Sequence, residues 1–241
     1  MNYREELFRN YRKSHNQFSG LDFSNVEKFY YDYYYTYYKK IFDKFDKSSK
    51  ILEIGCNMGS MIKILHEEGG FSDLTGIDLS IDDLEIAKSR CSNTIKLECA
   101  DAFTFLQGKE GLYDIIYSKA VFEHIEKSKI TELIQLCKKA LKINGVLIVE
   151  VPNMDWIYAS HERYMDFTHE VGFTKESLGQ VFRNEIGNVE IYYLDNSIRN
   201  AGIRMKIART IFSWLLYWSE PLIERDCLFS RSIMAVGVNE K

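Results

Sequence analysis

The chain has 241 residues, of which 46% are hydrophobic and 27% are charged, values that are ordinary for a soluble globular protein. Its formal net charge of −4 gives no general attraction to polyanions, so nucleic acid is not an expected partner. The five cysteines form no CxxC pair, the start lacks the apolar core of a secretory signal, and no apolar run reaches the ~20 residues that span a bilayer. We therefore expect a cytoplasmic protein without an integral membrane segment.

Residues 1–48 predict an N-terminal helical cap. Ser24 is placed to cap a helix whose body, residues 26–45, carries aromatic side chains on nearly every side. Such a helix must be covered on more than one face, and we expect it to pack on the core of the domain that follows. A helix that also closes over a ligand is the alternative.

Residues 49–241 predict one α/β domain. Seven apolar runs suit strands, the first five of them buried on both faces of a parallel sheet: 50–56, 74–80, 94–100, 113–118, 145–151, 189–195 and 232–238. Helices are predicted at 80–90, capped by Ser80, and at 130–141, with Gly145 where this helix would end. A helical insertion, about 200–224, precedes the last strand. Alternating strands and helices imply right-handed crossovers, so we predict a doubly wound, mostly parallel seven-stranded sheet.

The turn after the first predicted strand reads Glu53-Ile54-Gly55-Cys56-Asn57-Met58-Gly59-Ser60. Its glycines allow the backbone to bend tightly and to approach a ligand. Asp78 ends the second strand, where a carboxylate can accept hydrogen bonds from the hydroxyls of a ribose. A dinucleotide site needs G-x-G-x-x-G, but Asn57 and Ser60 stand at the second and third glycine positions, which counts against NAD.

Four motifs between residues 50 and 153 resemble the class I S-adenosylmethionine methyltransferases, which are Rossmann-like. They are E-x-G-x-x-x-G, G-I-D-L-S, C-A-D-A and Y-D-I-I-Y-S-K-A-V-F-E-H-I, in this order. Asn57 departs from the resemblance, because many members carry glycine there. The resemblance implies S-adenosyl-L-methionine as cofactor, S-adenosyl-L-homocysteine as product, and these cofactor-binding residues: Glu53, Gly55, Cys56, Asn57 and Gly59 around the methionine part, Asp78 and Leu79 at the ribose, Asp101, Ala102 and Phe103 at the adenine, and Ser118, Lys119 and Ala120 under the sulfonium.

Candidate catalytic and substrate-binding residues follow the fourth and fifth strands. His124, in Phe122-Glu123-His124, is either a general base or a residue that shapes the pocket. A substrate loop, 154–173, leaves the sheet at its ligand-binding edge, and a solvated loop is the alternative. Within it, Arg163 could hold a phosphate or carboxylate, Tyr164 could stack on a sugar and His161 could bind substrate. Asp166, His169 and Glu170 are candidate bases or could together bind a divalent metal, although the spacing predicts no metal site.

The string R-Y-x-D-F-T-H-E-x-x-F-T, with Thr174 placed to cap a helix, is similar to one in methyltransferases of bacterial surface polysaccharide synthesis. This resemblance predicts O-methylation of a sugar, nucleotide-linked or phosphate-derived group in capsule synthesis. The alternatives are N- or C-methylation of a small metabolite, as in cofactor biosynthesis, and a non-catalytic subunit that binds an adenosine ligand. Nucleic-acid methylation is disfavoured because S-K-A-V stands where N/D-P-P-Y would be expected. The insertion could cap the active site, form a homodimer contact or lie on a membrane surface.

Overall fold

The computed structural model describes residues 23–195, 203–219 and 227–240, so residues 1–22 of the predicted cap and both ends of the predicted insertion lie outside the described residues. The strands are β1 Lys50–Ile54, β2 Asp73–Asp78, β3 Lys96–Cys99, β4 Tyr113–Lys119, β5 Leu141–Pro152, β6 Val189–Leu194 and β7 Ser232–Val238. They form a seven-stranded sheet in the order β3-β2-β1-β4-β5-β7-β6. β7 runs antiparallel to β5 and β6, and the strands from β1 to β5 pair in parallel. The predicted doubly wound, mostly parallel sheet is confirmed. The predicted burial of β3 on both faces is wrong, because β3 is an edge strand and most of its residues are exposed.

The described helices flank this sheet. They are α1 Phe23–Tyr33, α2 Lys39–Phe42, α3 Ser60–Glu67, α4 Ile81–Arg90, α5 Ala102–Phe105, α6 Ile130–Ala140, α7 Ala159–Tyr164, α8 Lys175–Glu185 and α9 Ile203–Ser219. A π-helical turn, Tyr34–Tyr38, joins α1 to α2, and 3-10 turns occupy Phe122–His124, Lys127–Lys129 and Cys227–Phe229.

Local hydrogen bonds explain where several helices begin and end. Ser80 caps α4 by accepting from the Asp83 N–H, and Thr174 forms a capping box with Ser177, both at the predicted positions. Ser24 is different, because the described part of α1 already includes Phe23, so the serine lies within the helix.

The predicted place of Gly145 after a helix is wrong. α6 ends at Ala140 and β5 begins at the next residue, so Gly145 lies inside β5. The last carbonyls of α6 are satisfied from the neighbouring loop instead, since the N–H groups of Gly111 and Leu112 donate to Lys139 and Ala140. No glycine is needed to end the helix in this way.

The aromatic N-terminal segment packs on one face of the sheet. Tyr34, Tyr38 and Phe42 are fully buried in a cluster with Ile51 of β1 and Tyr117 of β4. The tyrosine and phenylalanine rings contact one another edge-on or tilted, with the centroids of Tyr38 and Tyr117 5.3 Å apart. This is the packing on the core that the aromatic pattern predicts.

Helix α9 occupies the described part of the predicted insertion. Its Arg209 pairs with Asp195 at 3.0 Å and places its guanidinium 4.1 Å from the centre of the Phe229 ring. A long stripe on the helix is exposed, comprising Ile203, Ile207, Ile211, Trp214, Leu215 and Trp218. Within the described ranges, every helix is too short or too polar to cross a membrane.

Candidate active site

A tight turn follows β1. Gly55 adopts a left-handed φ of 76°, and its N–H donates to the Ile77 carbonyl at 2.8 Å. A Cβ at this position would lie 2.2 Å from Cγ2 of Val121, so the contact requires glycine. Asn57 also has a positive φ, 46°, which asparagine adopts more readily than most residues. The turn therefore lies directly against the segment that follows β4.

Asp78 ties this turn to the end of β2. Its Oδ2 accepts from the Asn57 N–H and its Oδ1 from the Ser80 N–H, both at 2.8 Å. Burial raises the pKa of Asp78, while the two N–H donors oppose that shift. Each carboxylate oxygen has a further lone pair, so the aligned carboxylate can also accept from two neighbouring hydroxyls. Leu79, beside it, is half exposed at 51%.

Asp101 occupies the matching position after β3. Its Oδ1 accepts from the N–H groups of Phe103 and Thr104 at 3.0 and 3.2 Å and so caps α5. Oδ2 is then available to accept from a ligand amino group. Ala102 and Phe103 pack partly buried against the core on the same short helix. The ends of β1, β2 and β3 thus present Gly55, Asp78 and Asp101 along one edge of the sheet.

A buried carboxyl lies under this edge. Glu53, in β1, is 4% exposed, and its Oε2 has no hydrogen-bond partner in the described part of the chain. Burial and the nearby Asp78 raise the pKa of Glu53 well above its usual range. Burial raises the pKa of Tyr30 of α1, and the nearby Glu53 and Glu150 raise it further. The orphaned oxygen fits a positively charged ligand, since a cation would satisfy it.

The end of β4 joins the N-terminal segment through a buried network. Glu150 of β5, 2% exposed, accepts from the hydroxyls of Tyr33, at 2.6 Å, and of Tyr38, and it pairs with Lys119. The Lys119 ammonium also lies 4.4 Å from the centre of the Tyr33 ring. Lys119 therefore pairs with protein groups, while the neighbouring Ser118 is fully buried and its Oγ has no partner among the described residues.

The network around Glu150 was missed by the sequence analysis. A charged residue in the otherwise apolar run GVLIVEV, together with a helix that is aromatic all round, was the available signal. A buried carboxylate requires partners, and tyrosine hydroxyls from a helix covered on several faces can supply them.

Two predicted catalytic histidines meet just beyond β4. The rings of His124 and His169 lie with their centroids 4.8 Å apart. Nδ1 of His124 is 2.8 Å from Oγ1 of Thr168, and that hydroxyl donates to Oδ1 of Asp166 at 2.7 Å. His124, Asp166 and Thr168 are all buried. The structure thus links His124 to the predicted Asp166 through Thr168, which the sequence analysis did not single out.

Backbone hydrogen bonds hold the substrate loop, which carries His169, against the 3-10 turn that carries His124. The N–H groups of Glu170 and Val171 donate to the Glu123 carbonyl at 2.7 and 3.1 Å. Nδ1 of His169 lies 3.0 Å from the carbonyl of Glu162, whose carboxylate pairs with Arg231 through two contacts of 3.0 Å. Glu123 lies in the 3-10 turn after β4, and burial raises the pKa of its carboxyl to about 8.

The three predicted substrate-binding residues have different environments. Arg163 donates to the carbonyls of His169 and Glu170, the latter at 2.9 Å, so its guanidinium holds the loop's own backbone. Tyr164 is 79% exposed and His161 is also exposed. These two side chains are therefore open to solvent.

One residue divides the site. Ala120 has a left-handed φ of 54°, and its N–H donates to the Glu150 carbonyl at 2.9 Å. The predicted cofactor-binding residues, from Glu53 to Lys119, all precede this bend. The histidine cluster and the substrate loop follow it. The bend turns the chain from one half of the site to the other.

Comparison with known proteins identifies the family of this chain. Residues 26–188, about two thirds of the chain, match the family described as methyltransferase domain. The chain is 26% identical over 141 residues to malonyl-[acyl-carrier protein] O-methyltransferase of Halalkalibacterium halodurans, covering 57% of this chain and 51% of that one. It is 31% identical over 106 residues to phosphoethanolamine N-methyltransferase of Plasmodium falciparum, covering 43% and 39%. The matched regions therefore span about half the length of these curated relatives, or less.

The fold has solved counterparts. A SAM-dependent methyltransferase from Archaeoglobus fulgidus superposes with a TM-score of 0.67 at 19% identity, covering 90% of this chain and 98% of the other. The chain belongs to the methyltransferase-domain family, and its fold is that of the S-adenosylmethionine-dependent methyltransferases. The cofactor predicted from the motifs, S-adenosylmethionine, is confirmed at this level.

Proposed function

We propose that this protein transfers a methyl group from S-adenosylmethionine to a hydroxyl oxygen of a small sugar, nucleotide-linked or phosphate-derived acceptor in the synthesis of a bacterial capsule or surface polysaccharide. The observation that carries the reaction is the buried linkage Asp166–Thr168–His124 beside His169, at the end of β4. The resemblance of residues 163–174 to surface-polysaccharide methyltransferases supports the acceptor class.

The cofactor half of the site would orient the methyl donor. The cofactor supplies a methyl group on a positively charged sulfur, which is already a good electrophile. Asp78 would accept from the ribose hydroxyls and Asp101 from the adenine amino group, since each carboxylate is aligned by backbone N–H groups. The buried Glu53 would face the positive charge of the methionine end. Such positioning can supply ~7–11 kcal/mol of the barrier reduction.

The acceptor half would activate the hydroxyl. Because the Thr168 hydroxyl donates its hydrogen to Asp166, it accepts from Nδ1–H of His124, which places the imidazole lone pair on Nε2. The Glu162 carbonyl can only accept, so His169 likewise carries its hydrogen on Nδ1. Two imidazoles of the same tautomer therefore lie together, and activation of a hydroxyl by such groups contributes ~10²–10⁴-fold.

Methylation at nitrogen is the second candidate. One relative is named for phosphoethanolamine and another for a malonyl carrier protein, so both printed acceptors contain an acidic group. A phosphate or carboxylate on the acceptor is therefore part of both candidates. A non-catalytic subunit that binds an adenosine ligand would need none of the order seen around His124.

The proposal also covers the cellular compartment and the oligomeric state. All five cysteines are free thiols, which supports a reducing cytoplasm. The exposed apolar stripe of α9 supports a homodimer, and sedimentation equilibrium of the purified chain tests it.

Transfer of a labelled methyl group from S-adenosylmethionine tests the reaction. The acceptor panel comprises sugar nucleotides, phosphorylated sugars, phosphoethanolamine and a malonyl carrier protein. We expect transfer to a sugar-containing acceptor, retained in His66→Gln and lowered ~10²-fold or more in His124→Ala and His169→Ala. Transfer only to phosphoethanolamine would establish the nitrogen alternative. Binding of S-adenosylhomocysteine without transfer to any acceptor would contradict the enzymatic proposal.

A further inference from the structure

Three side chains with metal-binding chemistry converge beyond β4. Among the described residues, Glu123, His124 and His169 form a group whose candidate ligand atoms all lie within 4.8 Å of one another. Glu123 is 3% exposed and His124 8%, and His169 is partly buried. One carboxylate and two imidazoles form a donor set that suits borderline divalent metals such as Zn²⁺ or Co²⁺ better than Ca²⁺ or Mg²⁺.

The partners of both histidines orient them as ligands. Thr168 accepts from Nδ1–H of His124, and the Glu162 carbonyl accepts from Nδ1–H of His169. The lone pair of each ring is therefore on Nε2, one of the two ring nitrogens that can bind a metal. Metal-binding histidines usually donate their other N–H to a carboxylate, carbonyl or hydroxyl in this way, which sets the tautomer and the ring orientation.

Glu123 provides an independent observation. Its Oε2 is buried and has no hydrogen-bond partner within the described ranges. Lys119, the nearby cation, pairs with Glu150. An unsatisfied buried carboxyl is costly, and a metal ion between it and the two imidazoles would satisfy it.

We propose that Glu123, His124 and His169 bind one divalent transition-metal ion. The ligand atoms would approach by small side-chain rotations to the ~2.0–2.2 Å typical of such sites. Three protein ligands leave coordination positions open, and these would take the acceptor's hydroxyl and a neighbouring oxygen, for example those of a vicinal diol or a phosphate.

This inference rests on the proposed function for the identity of the acceptor, but not for the site itself. The ion would acidify the bound hydroxyl, whose proton leaves to solvent water. The oxygen then forms a bond to the methyl carbon while the carbon–sulfur bond breaks and sulfur keeps its electron pair. With the ion bound, the histidines activate the hydroxyl as metal ligands instead of accepting its proton themselves, and Asp166 and Thr168 position one of them.

Metal titration of the untagged, chelator-treated full chain tests the site directly. We expect one Co²⁺ per chain, with visible absorption bands that report nitrogen ligands, and competition by Zn²⁺. Glu123→Gln and His169→Ala should weaken affinity at least ~100-fold, and Thr168→Val about 10–100-fold because it removes the orienting partner. His66→Gln, on α3 and outside the cluster, is the matched control and should bind as the wild type does.

The outcomes separate this inference from the proposed function. Absence of stoichiometric binding by the wild type, or unchanged binding by Glu123→Gln, would overturn the metal site. If His169→Ala fails to fold by circular dichroism, the nearly isosteric Glu123→Gln decides. Methyl transfer that is unaffected by chelation would overturn the site and leave the methyltransferase proposal intact. Metal binding without transfer to any acceptor would support the metal site and contradict the methyltransferase proposal.

Discussion

Replacing Gly55 with alanine tests how the tight turn after β1 is held against the segment after β4. The new Cβ would lie 2.2 Å from Cγ2 of Val121 on a backbone with φ 76°. A left-handed conformation costs an ordinary residue ~1–2 kcal/mol, and overpacking costs ~1–3 kcal/mol. We therefore expect Gly55→Ala to lower the free energy of unfolding by about 2–5 kcal/mol. At about 2–4 °C per kcal/mol for a chain of this size, the midpoint should fall by roughly 4–20 °C.

A double-mutant cycle separates the two contributions. The Cβ of Val121 lies 3.6 Å from the added methyl, an ordinary contact, so Val121→Ala removes the clash but not the backbone strain. Gly55→Ala in the Val121→Ala background should cost only ~1–2 kcal/mol, which gives a coupling energy of ~1–3 kcal/mol. Denaturant unfolding of the four cofactor-free proteins measures it. Additive effects within about 0.5 kcal/mol would refute the direct contact.

Three further predictions concern charged groups. Asp78→Ala should weaken S-adenosylhomocysteine binding about 100-fold or more in calorimetry, because it removes charge-assisted hydrogen bonds worth ~1.5–3 kcal/mol each. His169→Ala should leave this binding unchanged and lower turnover. Glu150→Gln should destabilise the chain by about 3–5 kcal/mol in denaturant unfolding, because Lys119 loses its buried counter-charge. Because the pKa of Glu53 is raised, the folded, cofactor-free protein holds a proton that the unfolded chain releases above pH ~4.5. Its free energy of unfolding should therefore fall as the pH rises above ~4.5. Glu53→Gln should flatten this dependence.

Each of these predictions has its own contradicting result. Equal loss of S-adenosylhomocysteine binding in Asp78→Ala and His169→Ala would remove the division between cofactor and acceptor residues. Adding Lys119→Met to Glu150→Gln removes the unpaired cation while the amide oxygen can still accept from the tyrosine hydroxyls. This double variant should recover part of the stability lost by Glu150→Gln, and no recovery would show that the ion pair is not the cause. Parallel pH profiles for Glu53→Gln and the wild type would show that Glu53 is ionised in the folded protein.

The sheet, and the meeting of Gly55, Asp78 and Asp101 at one edge of it, could be predicted because their signals are local. Continuous apolar runs marked the strands, and the glycine turn, Asp78 and Asp101 each follow directly on a strand. The carboxyl ends of parallel strands meet at one edge, so strand order alone brings these residues together.

The contacts between distant segments could not be predicted in the same way. Tyr33 and Glu150 are separated by 117 positions, and His124 and Thr168 by 44. The pattern of the substrate loop identified charged and aromatic residues, but it could not distinguish Arg163, which holds the loop's backbone, from Thr168, which orients His124. That distinction depends on the folded path of the loop, which the backbone contact between Glu123 and Glu170 sets.

On the proposed assignment of the site, the bend at Ala120 has a consequence for how the acceptor could change in evolution. Residues that would grip the donor lie before the bend, and those that would select the recipient lie after it, on segments linked through Glu123 and Arg231. Exchange of the later portion between relatives would therefore alter which compound is modified and leave the donor chemistry untouched. Because the two sets of residues lie in different parts of the chain, acceptor selectivity could then change without any change in the residues that bind the methyl donor.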